Sequence, residues 1–229
     1  MLTLADFFSS LITVGGFSFT NSDISMSKYT TYAISTASVV TNASAKEEAN
    51  ICKNRGGAGY VYMADDKFYI IAGIYENEAD AKKVAETLKT SNITSTIIQI
   101  DIPLISLKSS LSPQEKSTLE NSITIFKTTY KKLYDISVSL DTSVISEVNA
   151  RLAINELGSE ISTATHNFNT MFNSQMNSEL VNVKIKLNDL LSEIDQLISS
   201  SYTPFTSHIK NAYCSSLFLL KSLAESLAN

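Results

Sequence analysis

Near residue 104 the spacing of apolar residues changes, and that change limits the chain to a mixed architecture more firmly than any short motif does. After it, Leu119, Ile123, Phe126, Tyr130, Leu133, Ile136 and Leu140 recur at intervals of three and four. That is the seam of a helix packed along its length. A second pattern runs Ile145, Val148, Leu152, Leu157, Ile161, Phe168 and Met171, and a third runs Leu180, Val183, Leu187, Leu190, Ile194 and Leu197. The last carries Phe205, Ile209, Tyr213, Leu217, Leu220 and Leu227. Ser112-Pro113-Gln114-Glu115 is a capping box with proline at the first helical position, and Thr203-Pro204 is a second cap-plus-proline start. Helices of this size are roughly 35–45 Å long. With short connections they predict an elongated antiparallel four-helix bundle over 104–229.

Six of the seven glycines lie before residue 74, so turns and strands belong to the early part. Residues 30–39, 59–63, 68–75 and 94–102 are β-branched and aromatic and read as strands. Ala45, Ala49 and Cys52 line one face of a helix between the first two, and Ala81, Ala85 and Leu88 line a helix between the last two. The order is β-α-β-β-α-β over 30–103. From Ala45, steps of four, seven and eleven reach Ala49, Cys52 and Gly56, and from Ala81 the same steps reach Ala85, Leu88 and Asn92. Glycine and asparagine are the residues that best tolerate the left-handed conformation closing a helix. An internal repeat of about 36 residues accounts for the match.

Charge and residue inventory exclude several functions. Residues 1–103 carry 8 basic and 11 acidic side chains and residues 104–229 carry 10 and 12, so neither part offers the basic face that attracts nucleic acid. Cys52 and Cys214 are too few for a disulfide framework or a CxxC metal site, and His166 and His208 lack partners at metal-ligand spacing. Asp65-Asp66 reads as hairpin-turn chemistry and not as a calcium site. No nucleophile, base and orienting group can be assembled, so no catalysis, metal or cofactor is expected. Residues 2–19 are apolar but interrupted by Asp6 and several hydroxyls, with no lysine or arginine before Lys28. Residues 1–29 read either as the stub of a membrane anchor or as a packed lead-in helix.

The stretch RGGAGYVYMADDKFYIIAGIY, residues 55–75, admits three readings. A phosphate loop requires GK[ST] after its glycines, and Tyr60 and Val61 stand there instead. The aromatic strand of an RNA-recognition domain requires a basic residue and three aromatics, most of which are missing. The third reading is a repeat arm: Ile70-Ile71-Ala72-Gly73-Ile74-Tyr75, a polar stretch, then Ala81, Ala85 and Leu88. In this pattern residues 30–102 resemble the SPOR (sporulation-related) domain, whose two repeats each run V-Q-v-G-x-F followed by A-x-x-x-A-x-x-L. The second repeat matches well. The first is degenerate, with Ser35 at the glutamine, Ala37 at the glycine and Val39 at the aromatic. The fold this implies is a SPOR/ferredoxin-like βαββαβ domain, followed by the helical bundle.

The resemblance implies a sheet with two helices on one face and denuded peptidoglycan glycan strands bound on the other. Strand alternation places Ser35, Tyr60, Tyr62, Tyr69 and Ile71 on that outer surface, joined by Ile98 and Ile100. Tyrosines can stack on sugar rings while their hydroxyls form hydrogen bonds. Tyr75, in the aromatic slot of the repeat, reads as core. The isoleucines, together with Ser35 and Ile71 standing where polar or basic residues are common in the family, argue instead that the C-terminal helices or a partner cover this face. Two functions therefore stay open. One is a cell-envelope glycan-binding module of sporulation or division, with the bundle as spacer or partner-docking arm. The other is an interaction protein whose sheet is covered and binds no glycan. The resemblance, with Lys-, Asn-, Ile- and Ser-rich usage, implies an extracytoplasmic place in a Gram-positive envelope, with membrane association through the N-terminus.

Overall fold

The computed structural model describes residues 23–108, 111–174, 177–199, 201 and 204–228. The anchor or lead-in expected over residues 2–19 and the cap expected at Thr203 lie outside them. The described chain is α+β: one four-stranded antiparallel sheet, a two-stranded ribbon and six helices.

The sheet is built from β2 (Tyr29–Val39), β3 (Tyr60–Ala64), β4 (Lys67–Tyr75) and β5 (Thr96–Ile102), in the order β3-β4-β2-β5. Two helices of equal length, α1 (Asn42–Asn54) and α2 (Glu78–Thr90), make the crossovers. Their ends repeat at an offset of 36 residues. Thr41 caps α1 by accepting from the Ser44 N–H at 3.2 Å, and Asn77 caps α2 by accepting from the Asp80 N–H at 2.9 Å. At the other end the Gly57 N–H donates to the Cys52 carbonyl at 3.0 Å and the Ile93 N–H to the Leu88 carbonyl at 2.9 Å. Gly56 (φ 87°) and Asn92 (φ 58°) take the left-handed conformation that this closure requires. Asp65 and Asp66 are both left-handed as well and form the tight β3–β4 hairpin turn.

A two-stranded ribbon accompanies the sheet. β1 (Asp23–Met26) pairs with β6 (Ile105–Lys108), where a lead-in and the start of a helical region were expected. Both segments are four residues long, too short for strand periodicity to register in the sequence.

Four long helices follow: α3 (Pro113–Asp141), α4 (Glu147–Phe172), α5 (Ser178–Ser199) and α6 (Phe205–Leu227). The capping box of α3 is formed: the Ser112 N–H donates to Glu115 Oε2 at 2.7 Å, and the Glu115 N–H donates to Ser112 Oγ at 3.3 Å. Helix α6 packs against both α3 and α5, and α4 packs against the same two. The expected seams of α3 and α5 are buried, except that Leu140 is only partly covered. The seam expected for α4 is displaced at its start, where Val148 (68% exposed) and Leu152 (53%) face outward. Ala150, Ile154, Leu157, Ile161, Phe168 and Phe172 form the inner line. At 100° per residue, Val148 and Leu152 lie roughly opposite Ala150, and the small alanines, not the larger side chains, meet the neighbouring helices.

Helix α6 departs furthest from a one-sided seam. Beyond the expected positions it buries Ser207, Ala212, Cys214, Ser215, Ser216, Phe218, Leu223 and Ala224. A helix buried on nearly all sides must have a layer on each side. On one side are α3 and α5, and on the other is the sheet.

Candidate functional site

The candidate surface is the sheet face that points away from α1 and α2. Strand pairing assembles it directly. Ile71 stands opposite both Tyr60 on β3 and Ser35 on β2, Tyr62 stands opposite Tyr69, Ala33 opposite Ile98, and Thr31 opposite Ile100. Directly paired residues share a face. Ser35, Tyr60, Tyr62, Tyr69 and Ile71 are therefore brought together on one surface.

That surface is not open. The ring of Phe218 from α6 stacks on Tyr60 (centroids 5.0 Å apart, planes 2° from parallel) and on Tyr62 (4.5 Å, 22°). Ser35 and Ile71 are buried, and Tyr60, Tyr62, Tyr69 and Ile98 pack against one continuous core that includes Phe126, Leu217 and Leu220. The Ser35 hydroxyl is turned back onto its own strand, donating to the Ala37 carbonyl at 2.8 Å. Burial pushes the Tyr60 phenol well above its usual range, with smaller contributions from Cys214, Glu193 and Tyr62.

Polar groups of α6 complete the attachment. The last carbonyls of a helix have no partner within it, and α6 supplies partners for the closing turn of α1. The Ser207 hydroxyl donates to the Lys53 carbonyl at 2.8 Å, Lys210 Nζ to the Gly56 carbonyl at 2.8 Å, and Asn211 Nδ2 to the Ala58 carbonyl at 3.1 Å. Lys210 also pairs with Asp141 on α3, so one cation ties α1, α6 and α3 together. Deeper in, the Ile74 N–H donates to the Tyr213 hydroxyl at 3.3 Å. Gly73 makes room for this contact, because a Cβ there would lie 3.0 Å from Tyr213 Oη. The repeat-motif glycine thus seats a residue 140 positions away in sequence.

Other candidates from the sequence fall in separate places. Cys52 is buried between α1 and the sheet and Cys214 within α6, both as free thiols, and burial raises the Cys214 pKa well above the ordinary thiol value. Tyr75 is half-buried and lines a surface cleft, where core was expected. Among the described residues no three histidine, cysteine or carboxylate side chains are placed to hold a metal ion. Nor is any helix among them long and apolar enough to cross a membrane. The sequence reading missed Phe218, Lys210 and Asn211. A signal was present: from Asn211 to Leu220 there is not one charged residue, which a helix with a solvated face would not sustain.

No protein-family model, curated protein or solved structure matches this chain.

Proposed function

We propose that this chain is a non-catalytic interaction protein in which a SPOR-like, ferredoxin-like βαββαβ unit is sealed by its own C-terminal helix and takes no glycan. The strand order β3-β4-β2-β5 with two crossover helices supports the split β-α-β arrangement, and the 36-residue offset of caps and closing turns supports a duplicated half-unit. In this reading α3–α6 are an elongated antiparallel four-helix bundle whose last member doubles as the lid of the sheet. Partner recruitment then falls to the outer surfaces of the bundle, and the place of action is the cell envelope.

The observation that carries the reading is the stacking of Phe218 on Tyr60 and Tyr62, which fills the platform a sugar ring would need. Covering one large side chain of this kind stabilises by roughly 1.5–3 kcal/mol, and each aromatic pair adds about 0.5–1.5 kcal/mol. Glycan would have to displace all of this together with the polar contacts at the α1 terminus. The glycan-binding reading requires α6 to lift, leaving Tyr60 and Tyr62 for a sugar ring to stack on.

Co-sedimentation with amidase-treated sacculi separates the two. The sealed sheet predicts that the intact chain stays in the supernatant and that Tyr69→Ala changes nothing. Retention that is lost in both Tyr62→Ala and Tyr69→Ala would establish glycan binding instead.

A further inference from the structure

The sheet has two outer strands, β3 and β5, and they are guarded unequally. An outer strand presents a row of backbone N–H and C=O groups without partners, and folded proteins blunt it with charged or polar side chains. On β5 the exposed side chains are Thr96, Gln99 and Asp101. On β3 they are Val61 and Met63, 36% and 67% exposed. Both lie on the α1 side of the sheet, Val61 opposite Ile70 and Met63 opposite the half-buried Phe68. Outside its ladder with β4, Tyr60–Ala64 forms no backbone–backbone hydrogen bond among the described residues. An apolar strand at an open edge is a place for another strand to pair.

The order of residues along β3 selects that strand. A second copy of β3, laid antiparallel about a two-fold axis at Tyr62, sets Val61 opposite Met63 of that copy, Tyr60 opposite Ala64, and Tyr62 opposite its own counterpart. The two exposed apolar side chains cover one another, and no like charges face each other. One step further out, Asp65 falls opposite Gly59. Gly59 lies under the Lys53 side chain, since a Cβ there would stand 2.7 Å from Lys53 Cγ. The carboxylate at one end of the strand therefore comes to the ammonium at the far end of its counterpart. Neither group has an ion pair within its own chain among the described residues, and Glu193 lies near Lys53 without closing to one.

We propose that two copies of this chain join through β3, antiparallel and centred on Tyr62, so that their four-stranded sheets run on as one. An unrelated extended peptide would gain the same backbone hydrogen bonds. It would not bring the matched Val61 and Met63 pairs or the Asp65 and Lys53 ends, which only this sequence supplies to itself. Pairing lengthens the sheet at its edge, so it stands whether or not the face under Phe218 takes glycan.

The test is sedimentation equilibrium of the intact chain from about 1 μM to about 1 mM. A strand of five residues makes a small interface, so a reversible dimer with a Kd of about 10–100 μM is expected. Met63→Lys sets an ammonium against Val61 of the second copy and should weaken the dimer at least about tenfold. Asp65→Asn removes the charge but keeps a residue that tolerates the left-handed turn, and should weaken it about two- to fivefold. Leu152→Lys, on the outer side of α4, should leave it unchanged. All three positions are exposed, and circular dichroism confirms that each variant is folded. Register is read separately. On oxidation, a mixture of Val61→Cys and Met63→Cys chains should form a disulfide-linked dimer faster than either variant alone, because only the mixed pair sets two thiols directly opposite. A chain that stays monomeric to about 1 mM, a dimer that Met63→Lys leaves intact, or equal cross-linking in the mixture and in the separate variants overturns the proposal.

Discussion

The two faces of the central sheet are closed in different ways. On one face α1 and α2, each adjacent in sequence to the strands it covers, supply small residues: Ala45, Ala49 and Cys52 from α1 and Ala81 from α2. The core there is thin, a small cluster in which Ile70 packs with Ala45, Ala49 and Cys52 beside Ala37, Val39, Phe68 and Ala72. Helix α2 buries only Ala81, leaving Ala85 and Leu88 half-covered. On the other face a helix from the far end of the chain brings Phe218, Tyr213 and three backbone caps, and its core runs without a break into the long helices. A local repeat is enough to define a sheet. It is not enough to bury both sides, and the second side is closed by long-range contacts.

The largest expected effect breaks the long-range closure. Phe218→Ala should cost about 3–5 kcal/mol in denaturant unfolding, since the ring stacks on two tyrosines and leaves a cavity when removed. Tyr213→Phe leaves the buried Ile74 N–H without an acceptor and should cost about 1–3 kcal/mol. On the thin face, Ile70→Val should cost about 0.5–1.5 kcal/mol. Leu152→Ala on the outer side of α4 sharpens the contrast from below: it should move stability by no more than about 0.5 kcal/mol, although the residue belongs to an apolar pattern.

A pH titration reports on the same closure. Glu193 on α5 is mostly buried, and burial raises its carboxyl pKa, partly offset by a hydrogen bond from Ser215. A carboxyl whose folded-state pKa exceeds its unfolded value of about 4.3 favours the folded protein below that pH, and the contribution is lost as pH rises through the folded pKa. Thermal unfolding should therefore show a decline in stability across that interval. Glu193→Gln should flatten it.

These differences explain what could be read from the sequence. The order β-α-β-β-α-β, the α1 face through Ala45, Ala49 and Cys52, and the left-handed closures at Gly56 and Asn92 were legible because each depends on neighbours within a few residues. The capping box at Ser112 was legible for the same reason. That Ser35, Tyr60, Tyr62, Tyr69 and Ile71 share a face followed from strand alternation, so the composition of the outer face was legible too. Its isoleucines argued for a cover from the C-terminal helices or a partner, but the residues that supply it were not legible: Tyr213 sits in an ordinary three-and-four pattern that leaves Phe218 out, and nothing local distinguishes a helix covered on one side from one covered on two except its missing charges. Val148 and Leu152 misled because hydrophobicity was weighted above size, and helices in close contact prefer alanine at the point of approach.

Native-state hydrogen exchange tests the sealed face most directly. Amides of Tyr60, Tyr62 and Ile71 and those of Tyr213 to Leu220 should exchange through a single cooperative opening, with equal free energies that fall together in Phe218→Ala. If α6 instead exchanges through an opening of much lower free energy while β3 and β4 stay protected, the helix leaves the sheet on its own, and the face is a surface available to a ligand.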